Sequence, residues 1–123
     1  MSVDESSGNE GRQGIVDTAM DYYEGWFDGD ATRMKRALHP QLVKRALNND
    51  AIELDTAAEM IDATAAGVGR SRDPGDRRIE VRVDHIHGSI ATATVTSAVY
   101  VDYLQLVKVD DRWQILNALW ARA

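Results

Sequence analysis

The spacing of apolar residues changes once along this chain of 123 residues, from a helical period in its first half to a strand period after residue 77. Helices that precede strands bury both kinds of apolar face most simply when they lie on one side of an antiparallel sheet, which is an α+β arrangement. Ile15, Ala19, Tyr22 and Trp26 recur at intervals of four, three and four, and Val16, Met20, Tyr23 and Phe27 form a row beside them. One broad apolar face therefore runs along a first helix. Gly29 stops it, and Asp30 caps a short second helix that Pro40 ends. Thr56 followed by Glu59 is a capping-box pattern for a third helix ending at Gly67. Strands are predicted over Arg78 to His87, Ile90 to Tyr100, Val101 to Val109 and Trp113 to Arg122. Turns fall at Gly88 and at Asp110-Asp111, while the break near Tyr100 reads as a bend or a bulge. Gln41 to Leu47 fits neither period and reads as a short strand or an irregular arm.

The length suits one domain and is too short for two. Met1 to Arg12 has almost nothing apolar and is expected to be a disordered leader, with the domain over residues 13–123. The chain has no cysteine, which removes disulfides, thiolate nucleophiles and Cys-ligated metals. Residues 1–30 hold eight acids against Arg12 alone, and residues 31–123 hold twelve acids against thirteen Lys or Arg. The bulk of the chain is thus balanced and offers no sustained basic field, so no nucleic-acid partner is expected. No stretch approaches the roughly 18 apolar residues of a membrane span, and a signal-peptide core is absent from the first residues. A cytoplasmic protein with no membrane partner is expected.

Three stretches carry a family resemblance. They are Tyr22-Tyr23-Glu24-Gly25-Trp26-Phe27-Asp28-Gly29-Asp30, then Ala37-Leu38-His39-Pro40 with Arg45, and then Tyr103 to Lys108 followed by Trp113 to Trp120. Over about residues 13 to 122 the chain resembles the nuclear transport factor 2-like superfamily, and within it the lumazine-binding and SnoaL-like branch. The resemblance implies three N-terminal helices packed on a curved antiparallel four-stranded sheet, forming a cone with an internal pocket. It also implies a small, largely apolar cyclic or heteroaromatic ligand, no cofactor, and a homodimer. The superfamily contains cofactor-free isomerases, cyclases and dehydratases acting on carbonyl compounds as well as non-catalytic binding proteins, so the fold alone leaves both open. By its resemblance to ketosteroid isomerase, Tyr22 takes the place of the oxyanion-hole tyrosine and Tyr103 that of the second oxyanion-hole donor. Leu116, Ala118 and Trp120 take the cavity wall, with Gln105 counted among the ligand contacts. Arg45 and Ala46 stand near the place of that enzyme's aspartate base, so its proton-abstracting carboxylate is missing.

Each candidate also has a structural explanation. Tyr22 is a pocket donor or a core tyrosine bonded to backbone. Trp26 and Trp120 are wall or core. His39, just before Pro40, bonds local backbone or serves as an acid or base at the mouth. Arg45 pairs with Asp102 or Asp84, or clamps an anionic ligand. Asp102 is a candidate base, but it neighbours Tyr103 and so points to the opposite sheet face in a regular strand. His85 and His87 share a strand face without a third ligand, and no metal is expected. Gly67-Val68-Gly69-Arg70-Ser71 lacks the strand-loop-helix order and the ending of a phosphate loop.

Overall fold

The structure, a computed structural model, describes the backbone of residues 5–123 and the side chains of residues 11–123. Helix α1 spans Glu5–Asp28, α2 Ala31–Ala37 and α3 Ala57–Ala65, with a short 3₁₀ turn at Arg70–Arg72. The strands are β1 Leu38–Asn48, β2 Ala51–Thr56, β3 Glu80–His87, β4 Ile90–Thr96, β5 Tyr100–Val109 and β6 Arg112–Arg122. Of the expected leader, Met1 to Asp4 lie outside the described residues, and from Glu5 onward the backbone continues α1. No helix among the described residues is long and apolar enough to cross a membrane.

The helix signals act as their chemistry dictates. Gly29 takes a positive φ of 68° where α1 stops, and the Asp30 carboxylate accepts from the Arg33 N–H at 3.1 Å to cap α2. At α3 the Thr56 hydroxyl accepts from Glu59 N–H at 3.2 Å while the Glu59 carboxylate accepts from Thr56 N–H at 3.0 Å. Four orphan donors at a helix start need such partners, and the capping box supplies two of them.

The sheet corrects the four-stranded antiparallel expectation. It has six strands in the order β2-β1-β6-β5-β4-β3, and it is mixed because β1 runs parallel to β6. The undecided stretch Gln41 to Leu47 is the middle of β1, and β2 folds back on it antiparallel. The hairpin turns on Asn49 and Asp50, whose φ values of 50° and 66° suit a tight primed turn favoured by Asn and Asp. The same device, Asp110 and Asp111 at 51° and 60°, joins β5 to β6. Of the bend and the bulge expected at the break before Tyr100, the structure has the bend, at Ala98 and Val99 between β4 and β5. Ser97 closes it as a turn, its Oγ accepting from Val99 N–H at 3.2 Å and Tyr100 N–H at 2.9 Å.

That turn sets the parity of β5. Tyr100, Asp102, Leu104 and Leu106 are buried against the helices, whereas Tyr103 and Gln105 are exposed on the outer face. In β1 the same alternation buries Leu42, Lys44 and Ala46 and exposes Arg45. The core between sheet and helices is filled by Ile15, Phe27, Met34, Val95, Leu104 and Ile115, each 1% exposed or less.

Candidate functional site

Where α1, α3 and the 3₁₀ turn meet the helix-facing side of β1, β5 and β6, a cavity of about 580 Å³ remains. Its aromatic walls come from Tyr22, Trp26, Tyr100 and Trp120. Trp26 is held in place by donating its indole N–H to the Tyr100 hydroxyl at 3.1 Å, and the Tyr100 ring meets Trp120 edge-on at 5.5 Å. Gly69 forms the opposite support, because a Cβ there would overlap both the ring and the carbonyl oxygen of Trp26. Only glycine lets that loop approach the helix so closely.

The inner end of the cavity is polar. Asp102 is 2% exposed and accepts hydrogen bonds from two phenols, Tyr22 to Oδ1 at 3.3 Å and Tyr23 to Oδ2 at 2.5 Å. Lys44, 9% exposed, places its Nζ 5.0 Å from the Tyr22 ring centre, 5.1 Å from Trp120 and 5.9 Å from Trp26. Among the described residues no carboxylate forms an ion pair with Lys44. Three ring faces replace part of the hydration that an ammonium loses on burial.

Burial dominates the electrostatics of the pair. It raises the proton affinity of Asp102 against the opposing effects of Lys44 and of the two tyrosine hydrogen bonds. It lowers that of Lys44 against the attraction of Asp102 and Asp55, with Arg72 adding to the lowering. Tyr22 and Tyr23 are raised by burial and then by the adjacent Asp102, so both hydroxyls stay donors at neutral pH. The result is one carboxyl, one amine and two phenols gathered in a poorly hydrated corner, an arrangement suited to gripping a carbonyl or ring-nitrogen edge.

The expected site residues divide between two faces. Tyr22, Trp26, Asp102 and Trp120 meet at this cavity. Tyr103 does not: it is 60% exposed on the outer face, so the place it was expected to hold beside Tyr22 is taken by Asp102. Arg45 is likewise turned outward, and its place inside is taken by Lys44. Neither Arg45 pairing is found; Asp84 instead accepts from Arg82 and Thr94. Gln105 is also outward and accepts from Asn117 at 3.1 Å. Leu116 sits at the bulge between β5 and β6 and borders an outer-face groove with His85 and His87. Ala118 faces the helices but packs into the core away from the cavity. His39 accepts the Gln41 N–H on its Nδ1 at 3.0 Å, the local backbone bond of its structural explanation. No group of three or more metal-ligating side chains occurs among the described residues.

Lys44 and Tyr23 are functional candidates that sequence reasoning missed. The signal was parity: Leu104 and Leu106 share a face with Asp102, and Leu42 and Ala46 share one with Lys44. Apolar residues two positions away name the buried face even when the residue between is charged.

A second depression, about 590 Å³, lies on the outer face and is lined by Arg45, Asp84, Tyr103 and Leu119 among others. It lacks buried titratable groups, and the cavity under the helices is the better site.

This architecture is that of the nuclear transport factor 2-like proteins. An NTF2-like protein of unknown function from Shewanella baltica OS155 matches it with a TM-score of 0.73, at 19% identity over 93% of this chain and 94% of that one. An NTF2-like protein with a cystatin-like fold from Novosphingobium aromaticivorans matches with 0.73, at 15% identity over 96% and 85%. An NTF2-like protein of unknown function from Methylobacillus flagellatus KT matches with 0.68, at 21% identity over 100% and 95%. These likenesses establish the fold. No curated protein matches the chain. Residues 10–121 match the family described as "Putative lumazine-binding", and the chain belongs to that family.

Proposed function

We propose that the cavity binds a small planar heteroaromatic molecule of pterin or lumazine type. The observation that carries this reading is the set of buried polar groups at the inner end of an aromatic-walled cavity: Tyr22, Tyr23, Asp102 and Lys44. A heterocycle with alternating carbonyl and N–H groups on one edge meets a donor in Lys44 and an acceptor in Asp102, whose carboxyl the two phenols hold in place. Its ring faces then lie against Trp26 and Trp120, and a cavity of about 580 Å³ is within the usual range for such ligands. The family description supports the same ligand class.

Two of the three tryptophans, Trp26 and Trp120, line the cavity, so binding is expected to quench intrinsic fluorescence. Titration with lumazine and pterin should give saturable quenching, weakened about tenfold by Trp120→Ala, the scale of an aromatic contact at the centre of a site. The ligand should be recovered unchanged. Absence of saturable quenching with either compound removes the reading.

One observation favours a second reading, a cofactor-free isomerase, cyclase or dehydratase of the SnoaL-like kind. Asp102 is a buried carboxyl whose proton affinity is raised and which shares the cavity with three hydrogen-bond donors. In that reading Asp102 moves the proton, while Tyr22 and Lys44 hold the substrate oxygen. Chromatography of the protein with cyclic carbonyl compounds separates the two readings: a new product favours catalysis.

We also propose that the outer sheet face joins two copies of the chain. Tyr103 and Leu119, 60% and 53% exposed, stand there on adjacent strands with Arg45 and Asp84 close by. An isologous contact would set each copy's apolar pair against the other's. Sedimentation at tens of micromolar is expected to give a dimer that Leu119→Asp converts to monomer. A parent protein that sediments as a monomer ends this proposal.

A further inference from the structure

Reading the cavity as a binding site uses Lys44 only as a donor, yet its placement gives it a second property. The chain has three lysines, and only Lys44 is buried. Strand parity turns it inward between Leu42 and Ala46, which are 2% and 4% exposed, while its neighbour Arg45 carries its charge to the outer face. The amine ends among three aromatic rings, opens onto a cavity large enough for a ring compound, and has no ion pair among the described residues.

We propose that Lys44 is a nucleophilic amine that forms an imine with a small aromatic aldehyde or ketone admitted to the cavity. The proposal rests on this cavity being the ligand site. Amines become nucleophilic when desolvation favours their neutral form, and lysines that form Schiff bases occupy such surroundings. The charged and titratable groups facing Lys44 are Tyr22 from α1, Asp102 from β5, Asp55 from β2 and Arg72 from the 3₁₀ turn. Burial and Arg72 favour the free amine, while the two carboxylates and the three ring faces favour the ammonium; burial is the largest of these effects.

The step balances with the groups present. The Lys44 lone pair forms a bond to the carbonyl carbon, and the C=O π pair moves to oxygen, which takes the proton of the Asp102 carboxyl. The nitrogen then returns a proton to Asp102, leaving a carbinolamine. Asp102 protonates the hydroxyl, the C–O bond breaks as nitrogen forms C=N, and one water departs. The products are an iminium, its Asp102 carboxylate counter-ion and water. Tyr22 and Tyr23 hold Asp102 in place throughout.

The test is reductive trapping on the folded full-length protein. Benzaldehyde with sodium cyanoborohydride, which delivers hydride to the iminium carbon, should add one benzyl group, mapped by peptide mass to Lys44. Its labelling rate at neutral pH is expected to exceed that of Lys35 and Lys108 by about tenfold, the ratio that 1.4 kcal/mol of selective activation gives. Lys44→Arg should lose the adduct, with circular dichroism showing the variant folded. Labelling spread evenly over Lys35, Lys108 and the N-terminus overturns the proposal. So does an unlabelled Lys44 in protein whose fluorescence lumazine still quenches, an outcome that spares the binding site and rejects the nucleophile. Selective labelling without lumazine quenching gives the converse: the amine stands and the heterocycle falls.

Discussion

Replacing Asp102 by alanine is expected to destabilise the protein by about 3 kcal/mol, because it strips the partners from two buried phenols at once. Each hydroxyl left without an acceptor costs roughly 1–3 kcal/mol, and Lys44 loses a nearby negative charge; removal of a desolvated carboxylate offsets part of the sum. Asp102→Asn keeps one acceptor oxygen and should cost only about 1 kcal/mol. The pH dependence separates charge from packing. Below its ordinary value of 3.8, Asp102 is protonated in both the folded and unfolded chain. Above 3.8 the unfolded chain releases the proton while the folded protein, where burial raises the affinity, retains it. The folded state then binds more protons, so this residue's contribution to stability falls as pH rises, until the folded carboxyl ionises as well. Asp73 and Asp84, held low by hydrogen bonds from Arg77 and Arg82, act in the opposite sense, so the effect is read as parent minus variant. Urea unfolding of parent and Asp102→Asn from pH 4 to 8 should show their stability difference shrinking, or reversing, as pH rises. A difference independent of pH contradicts the raised affinity, and an alanine variant as stable as the parent contradicts the hydrogen-bonded pair.

The legible and illegible parts of this molecule follow from the range of the interactions that set them. Helix ends were readable because Asp30, Thr56 with Glu59, and Gly29 act within four residues of themselves. The four C-terminal strands were readable for a similar reason, since β-branched runs and a pair of aspartates with positive φ are local signals. The β1–β2 hairpin was not: β2 is an exposed edge strand whose residues show no alternation of burial, and β1 joins the sheet through a parallel pairing with β6, far along the chain. Its one local signal, Asn49-Asp50, is also common in ordinary loops. The site was half legible. Tyr22, Trp26 and Trp120 were assigned to the cavity and Asp102 was named as a candidate base, but Tyr103 was placed inside beside Tyr22 and Arg45 was named where its neighbour Lys44 is the group that faces the cavity. A one-residue error flips a side chain across the sheet, and charge misled the choice in both strands. Burial of a carboxyl and an amine is unfavourable in isolation, and only the surrounding phenols and rings make it tolerable. Those partners come from α1 and from strands remote in sequence, which is why the residues that set the chemistry were the least visible.

Phe27 joins the stability of the core to the shape of the cavity, and Phe27→Ala is expected to produce the largest loss of any single substitution considered. The ring is 1% exposed and stacks on Tyr100 at 5.9 Å with an interplanar angle of 20°. It also meets Tyr23 edge-on at 6.4 Å, and the Arg77 guanidinium lies 5.3 Å from its centre. Truncating a phenylalanine in such surroundings costs about 3–5 kcal/mol through lost transfer energy and the void left behind. That is a large share of the roughly 5–15 kcal/mol available to a domain, and the melting temperature should fall by on the order of 15 °C. The effect should also reach the site. Tyr100 loses the ring that fixes its plane, and Tyr100 is the acceptor that holds the Trp26 indole and the edge contact of Trp120. Lumazine quenching, measured well below the new melting point, should therefore weaken even though Phe27 does not itself line the cavity. Phe27→Leu, which refills most of the volume but cannot stack, is expected to recover more than half of the stability while leaving quenching impaired. A leucine variant that restores both together would show that volume alone, and not the stacked Tyr100, positions the aromatic wall.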